Sequence, residues 1–379
     1  MISEILPIEM VNLKGQYEKI KDEIDESVLK TIRTAEFING PEVKEFTKCL
    51  SNYLNKAYVI PCANGTDALQ IALMALCLVP GDEVIVPSFT YVATAEVIGL
   101  LGLVPVMVDV DHISFNITIE NIVNAITSRT KVIVPVHLFG QCADMEPIIE
   151  FAKENNLYVI EDVAQAIGSE YIFKDGTRAK AGTMGDIGCT SFFPSKNLGC
   201  FGDGGAIYTK DKDLAQKLKM ISNHGQEKKY IHKCIGVNSR LDSIQAAILN
   251  IKIKYLDEYN KARSIAADKY DDLLVGVNEL ILPFRSSHST HVFHQYTMLV
   301  KNGKRDELKM HLETASIPAM VYYPIPLNQQ EAFSYIGRVS GDLKTTKYLC
   351  NSVLSIPMHT ELTESQQIYI TDHIKSFFN

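Results

Sequence analysis

The sequence predicts an α/β fold, a mainly parallel central sheet flanked by helices with a smaller C-terminal α+β domain, on three observations. Short apolar runs without alternation recur at residues 83–87, 104–110, 131–138 and 157–161. Strands buried on both faces read this way, because helices cover both sides of a parallel sheet. Helically spaced stretches separate the runs, and polar residues of chemical interest follow directly after them. Ligands in such sheets collect beyond the carboxyl ends of the strands.

The elements follow in order. Residues 15–55 carry helical apolar spacing, broken at Asn39-Gly40-Pro41 by residues that end one helix and start another. A short strand at 57–61 leads into Asn64-Gly65-Thr66, and Ala68, Leu69, Ile71, Ala72, Leu73 and Leu76 then mark a buried helix. The helix start offers either a plain N-cap or an anion site of free amides. Helices at 93–101, 119–126 and 145–155 alternate with the strands named above. An apolar run at 187–193 precedes Lys196 and a glycine-rich loop, then come a strand at 205–209 and a helix at 212–221. Residues 224–236 are basic (Lys228, Lys229, His232, Lys233), and Leu241, Ile244, Ile248 and Ile251 pattern a helix leading out of the first domain. Tyr322, Tyr323, Pro324 and Pro326 stiffen a later loop.

Length and composition bound the rest. At about 150 residues per domain, 379 residues make two or three domains; the division is expected at 1–256, a large domain with an N-terminal helical segment, and 257–379. The net charge of −8 argues against nucleic-acid and anionic-membrane partners, which require basic faces. Eight scattered cysteines with no C-x-x-C pair, and no histidine cluster at zinc spacing, predict reduced thiols, a cytoplasmic location and no metal. The first seven residues lack the basic-then-apolar order of a signal peptide. Residues 98–110 are interrupted by Gly99, Gly102 and Pro105, so no membrane span is expected.

Lys196 is the pivotal residue. A lone lysine beside glycines is ordinarily a solvated cation. An amine held in a crevice loses hydration, its pKa falls, and it becomes a nucleophile. The residues after the strands match the needs of pyridoxal 5′-phosphate. Lys196 meets the aldehyde, Asp162 the pyridine nitrogen, Gln165 the ring oxygen, Tyr91 the ring face, and Gly65, Thr66 and Ser191 the phosphate. Each has a plainer alternative: a turn acid or magnesium ligand for Asp162, a core ring for Tyr91, a backbone-capping amide for Gln165.

Six segments carry a resemblance to a known family: Asn64-Gly-Thr-Asp-Ala-Leu69, Pro87-Ser-Phe-Thr-Tyr91, Glu161-Asp-Val-Ala-Gln165, Ser191-Phe-Phe-Pro-Ser-Lys-Asn-Leu-Gly199, Gly202-Asp-Gly-Gly-Ala206 and Gly236-Val-Asn-Ser-Arg240. In order and spacing the chain resembles the DegT/DnrJ/EryC1/StrS aminotransferases, fold-type I pyridoxal phosphate enzymes that aminate keto groups on nucleotide sugars. Residues 62–71, 140–144 and 323–328 resemble the WbpE/WlbC-type branch, which aminates UDP-2-acetamido-2-deoxy-3-oxo-glucuronate with glutamate for surface polysaccharide (O-antigen, lipopolysaccharide). The resemblance implies that Lys196 holds the cofactor and moves the proton, with pyridoxamine 5′-phosphate as the loaded form and 2-oxoglutarate as the spent donor. It implies a homodimer with shared sites, in which Asn238 of the partner subunit joins the phosphate cradle. Arg240, Tyr322 and Tyr323 are the candidates for the sugar, Arg240 for its carboxylate. Many relatives have histidine where this chain has Tyr322. A dTDP- or GDP-linked keto-hexose, or a non-catalytic sensor of the same fold, are the alternatives. Lys196 stands where dehydrating relatives carry histidine, which sets dehydration aside.

Overall fold

The computed structural model describes residues 7–379, so the signal-peptide reading of the first seven residues lies outside the described residues, Pro7 excepted. Seven strands come first: β1 (Tyr58–Cys62), β2 (Glu83–Pro87), β3 (Val104–Val108), β4 (Thr130–Ile133), β5 (Tyr158–Asp162), β6 (Ile187–Ser191) and β7 (Gly205–Thr209). Then follow β8 (Leu280–Ile281), β9 (Tyr296–Val300), β10 (Arg338–Val339) and β11 (Val353–Ile356). Short hairpins at 170–180 and 226–232 complete the strands. The main sheet runs β1-β7-β6-β5-β4-β2-β3-β10, and β8-β9-β11 form a second, antiparallel sheet.

In the main sheet only β7 runs against its neighbours, pairing antiparallel with both β6 and β1. All five residues of β2 are buried, as a strand between two layers requires. Burying Val84, Ile85 and Val86 contributes roughly 1.5–3 kcal/mol each.

The helices are α1 (Leu13–Lys19), α2 (Lys21–Thr34), α3 (Pro41–Tyr53), α4 (Gly65–Ala75), α5 (Ala93–Leu100), α6 (Ile119–Val123), α7 (Met145–Glu154), α8 (Lys212–Ile221), α9 (Ser243–Lys252), α10 (Leu256–Leu274), α11 (Arg305–Thr314), α12 (Lys344–Ser352) and α13 (Glu364–Phe378). One face of the main sheet packs on α3, α7 and α9, through Phe46, Leu50, Ile148 and Leu249. The other packs on α4, α5 and α8, through Ile71, Ile98 and Leu218. Helices α10, α11 and α13 cover the second sheet.

Pro41 starts α3 at its first turn, where a missing N–H costs nothing. The expected long helix after residue 240 is instead α9 and α10, joined by a 3-10 turn at Ile253–Tyr255. Among the described residues no helix is long and apolar enough to cross a membrane.

The chain beyond residue 257 does not stay with the second sheet. β10 returns as a parallel edge strand beside β3, held by a buried acid. Arg338 Nη2 donates to Glu83 Oε2 at 3.0 Å and to the Ala125 carbonyl at 2.6 Å. Arg129 donates to Glu83 Oε1 at 2.8 Å. Burial alone would raise the Glu83 carboxyl; the hydrogen bond from Thr127 and the two guanidiniums outweigh it and hold it below the usual range. Leu327 and Phe333 also pack into the α4–α5–α8 core. The loop carrying Tyr322 and Tyr323 is thereby tied to the carboxyl end of β2, where Leu327 N donates to the Ser88 carbonyl at 3.1 Å.

Candidate active site

Adjacent residues in a strand point to opposite faces, and the end of β5 uses both. Glu161 is fully buried and accepts from the backbone N–H groups of Gly182, Met184 and Gly185 at 2.6–2.8 Å. His137 Nδ1 accepts from Ala143 N at 3.1 Å, so its proton sits on Nε2, which donates to Glu161 Oε2 at 2.8 Å. This cluster fastens β5 to its surroundings and is closed to ligands. Asp162 turns to the other side. Its Oδ2 accepts from Thr94 Oγ1 at 2.9 Å and its Oδ1 from Ala164 N at 3.1 Å. Loss of water raises its pKa, partly offset by those two donors and by the nearby Lys196.

Lys196 follows β6 on the loop that Phe192 anchors, through the bonds Phe192 N to the Gly204 carbonyl and Lys196 N to the Phe193 carbonyl. The side chain is half-buried and its ammonium makes no hydrogen bond or ion pair among the described residues. Dehydration lowers its pKa from 10.5 to about 8, against the pull of the Asp162 carboxylate. The amine thus lies within electrostatic reach of the Asp162 carboxylate and is ready to react near neutral pH.

Gln165, one turn beyond Asp162, is oriented from both ends. Its Oε1 accepts from Phe139 N at 2.7 Å and its Nε2 donates to Tyr323 Oη at 3.1 Å. The Phe139 loop is clamped in turn: a side chain at Gly140 (φ +112°) would lie 2.9 Å from Phe293 N, so glycine is required there. The Tyr91 ring is 58% exposed, with its centroid 6.2 Å from that of Tyr323. It is a ring open for stacking rather than a core ring. Tyr322 lies edge-on to Tyr323 at 6.1 Å.

Gly65 and Thr66 open α4, an eleven-residue helix. Asn64 caps it by accepting from Asp67 N at 2.8 Å, which leaves the first amides free for an anion. Ser191, at the end of β6, closes the cradle: a Cβ on Gly65 would lie 2.7 Å from Ser191 Cβ. The Ser191 hydroxyl therefore lies close to Gly65 at the start of α4, where Thr66 follows.

Asn238 and Arg240 come from the segment that leads into α9. Asn238 is exposed and pairs through its backbone with Asn223. Between them Ser239 Oγ accepts from Ala63 N at 3.0 Å, just before the α4 cap. Arg240 is half-buried, and its guanidinium has no hydrogen-bond or ion-pair partner among the described residues.

Sequence reasoning missed several residues around the site. Thr94 carries the hydroxyl on Asp162, yet it sits inside an apolar helix with nothing in its spacing to mark it. Asn197 fixes the loop after Lys196 by donating to Asn260 Oδ1 at 2.7 Å and the Val292 carbonyl at 2.9 Å. Arg263 is buried without a carboxylate, donating to the carbonyls of Phe293, His294 and Met358 at 2.9–3.3 Å. Burial, Lys196 and Arg263 keep His294 uncharged. The signal for Glu161 was available: an acid following the apolar run Val159-Ile160 in a buried strand must have partners. Among the described residues no group of His, Cys, Asp and Glu is arranged for a metal ion.

Residues 18–375 match the DegT/DnrJ/EryC1/StrS aminotransferase family. The chain is 44% identical, over 94% of its length and 96% of the relative's, to the UDP-2-acetamido-2-deoxy-3-oxo-D-glucuronate aminotransferase of Pseudomonas aeruginosa. It is 44% identical, over 95% of each chain, to the UDP-N-acetyl-3-dehydro-alpha-D-glucosamine 3-aminotransferase of Acidithiobacillus ferrooxidans. A protein named pleiotropic regulatory protein from Geobacillus stearothermophilus is 43% identical over 98% of both. Among solved structures, a DegT DnrJ EryC1 StrS aminotransferase from Brucella abortus superposes with a TM-score of 0.93 at 39% identity, covering 98% of this chain and 100% of that one. NtdA from Bacillus subtilis, solved with bound cofactor PMP, superposes with a TM-score of 0.91 at 33% identity, covering 100% of this chain and 86% of that one.

Proposed function

The chain belongs to the DegT/DnrJ/EryC1/StrS aminotransferase family, and on that footing we propose that it moves an amino group from glutamate to the 3-keto group of a UDP-linked 2-acetamido sugar. The cofactor is pyridoxal 5′-phosphate. The residues present fit it: a dehydrated amine, a buried carboxylate beside it, and a cradle of free amides whose floor would be filled by a single Cβ at Gly65. The observation that carries the reading is a dehydrated Lys196 amine within electrostatic reach of the buried Asp162 carboxylate.

When bound, the cofactor's protonated ring withdraws electrons from the substrate carbon that loses its proton. Each residue then has a task of its own. The Lys196 amine, neutral in part near pH 7, would hold the cofactor through its aldehyde and would move the proton at Nζ. Asp162, whose oxygens accept from Thr94 and Ala164, would hold the pyridine N–H. Gln165 orients the ring oxygen and Tyr91 covers the ring face. Gly65, Thr66 and Ser191 hold the phosphate, with Asn238 of the partner subunit completing the cradle in a homodimer.

For the sugar we infer a 3-oxo-glucuronate. The half-buried Arg240 guanidinium, without a partner among the described residues, supports this, since a bidentate carboxylate would satisfy it. Tyr322 and Tyr323 line the sugar side, and the product serves surface polysaccharide synthesis in the cytoplasm. The test is a panel of UDP-, dTDP- and GDP-linked amino sugars, run in reverse with 2-oxoglutarate on the wild type and on Arg240→Gln. A UDP-3-amino-uronate should react best, with KM raised in the variant. Reaction of neutral hexosamines alone overturns the uronate, and no reaction with any sugar favours a regulatory relative.

A further inference from the structure

A cleft of about 490 Å³ opens at the edge strand β1, between α3 and α8. It takes in residues 56–60, the turn before β1 and its first three residues, whereas the candidate active site gathers beyond the carboxyl ends. No candidate active-site residue lines it.

Both helices turn the same kind of face to it. Lys44, Thr47, Lys48 and Ser51 come from α3, and Lys212, Ala215, Gln216 and Lys219 from α8. Each set follows i, i+3, i+4, i+7, which is one stripe of a helix. Thr47, Ser51, Ala215 and Gln216 supply small or polar side chains, and Lys44, Lys48, Lys212 and Lys219 supply charge, joined by Lys56 from the turn before β1. No carboxylate lines the cleft. The ion pairs of lysine among the described residues all engage other lysines. Of the acids on these two helices, Asp211 caps α8 by accepting from Asp213 N and Leu214 N, Glu42 is buried on the inner face of α3, and Glu45 and Asp213 lie outside the lining. In a chain of net charge −8, five unpaired ammonium groups converging on one cleft form a local positive field.

We propose that this cleft binds a chain of two or three phosphates, as carried by a nucleoside di- or triphosphate, through Lys44, Lys48, Lys56, Lys212 and Lys219. The volume falls within the roughly 300–1,000 Å³ of small-molecule sites. Lysine binds phosphate as a movable point charge, which suits a flexible chain of phosphates. Tyr58, 46% exposed in the lining, presents a ring on which a base can stack. An added acidic strand fits less well, because Pro61 leaves the five-residue edge strand with one N–H fewer.

The test uses the full chain loaded with cofactor, in equilibrium dialysis against sodium tripolyphosphate and against UTP. One variant reverses a lysine on each helix, Lys48→Glu with Lys212→Glu; a second, Lys48→Gln with Lys212→Gln, covers the case in which reversal disturbs folding. Circular dichroism and transaminase activity serve as controls and should not change. The wild type should bind tripolyphosphate at one site per chain, more weakly as salt rises. Reversal should weaken binding about tenfold or more, and neutralisation by less. UTP binding more tightly than tripolyphosphate, with the difference lost in Tyr58→Ala, identifies a nucleotide; equal affinities identify the phosphate chain alone. Absence of binding to the wild type, or binding that survives reversal undiminished, overturns the proposal and leaves the lysines as guards of an exposed sheet edge.

Discussion

Replacing Asp162 with asparagine removes a charge while leaving the shape of the site intact. In the wild type, Thr94 donates to Oδ2 and Ala164 N to Oδ1. An amide keeps its oxygen on Ala164 and turns its nitrogen to Thr94, whose hydroxyl accepts as readily as it donates. No partner is orphaned, and a carboxyl that burial has raised no longer has to be held ionised. The cofactor-free variant should therefore be at least as stable as the wild type. Its chemistry should change. Dehydration brings the Lys196 amine to about 8 while Asp162 resists; without the carboxylate, dehydration acts unopposed and the pKa falls below that value. At pH 7 an amine of pKa about 8 is about one-tenth neutral, against about one part in 3,000 for an ordinary lysine. The assay is capture of pyridoxal phosphate by the cofactor-free protein, followed by absorbance over about pH 6 to 10. Half-maximal capture is expected near pH 8 in the wild type and lower in Asp162→Asn, with transamination sharply reduced because the ring nitrogen has lost its partner. A midpoint that stays in place or rises would refute the reasoning.

Three further outcomes follow from the same geometry. Lys196 has a folded pKa of about 8 against 10.5 for an ordinary lysine, so between those values the unfolded chain holds more protons and stability rises with pH. The stability advantage of Lys196→Met over wild type, measured by urea unfolding without cofactor, should shrink by about 3 kcal/mol from pH 7 to pH 10.5. Thr94→Val deletes a hydrogen bond to a buried carboxylate, costing about 1.5–3 kcal/mol. It also raises Asp162 further, so the acid limb of the kcat/KM profile should move to higher pH. Gly65→Ala puts a methyl group 2.7 Å from Ser191 Cβ; overpacking of about 1–3 kcal/mol should weaken cofactor binding about tenfold in dialysis, with the transamination rate at saturating cofactor reduced less.

Much of this arrangement was legible because burial writes itself into sequence. Runs such as Val84-Ile85-Val86 permit only a strand between two layers, and a reactive residue after such a run sits at a strand end. That rule places Lys196, Asp162, Gln165 and the Gly65–Thr66 turn at or after the ends of strands, where the structure has them. What escaped depends on contacts between distant segments. Thr94 meets Asp162 across 68 positions, and Arg338 reaches Glu83 across 255; no local period encodes either. The reversed direction of β7 was equally hidden, since Gly205-Ala-Ile-Tyr-Thr209 reads the same whichever way it runs. The break between α9 and α10 escaped because Ile253–Tyr255 continue the apolar spacing while the backbone tightens into a 3-10 turn.

A dehydrated amine is not by itself a site. Lys252 is almost wholly buried and also stands at about 8 through loss of water, yet no carboxylate faces it and no anion cradle adjoins it. Borohydride reduction of the cofactor-loaded protein, followed by digestion and mass spectrometry, sets the two lysines against each other. The pyridoxyl phosphate mass should appear on the peptide containing Lys196 and be absent from the one containing Lys252. A label on Lys252, or none on Lys196, would contradict the account.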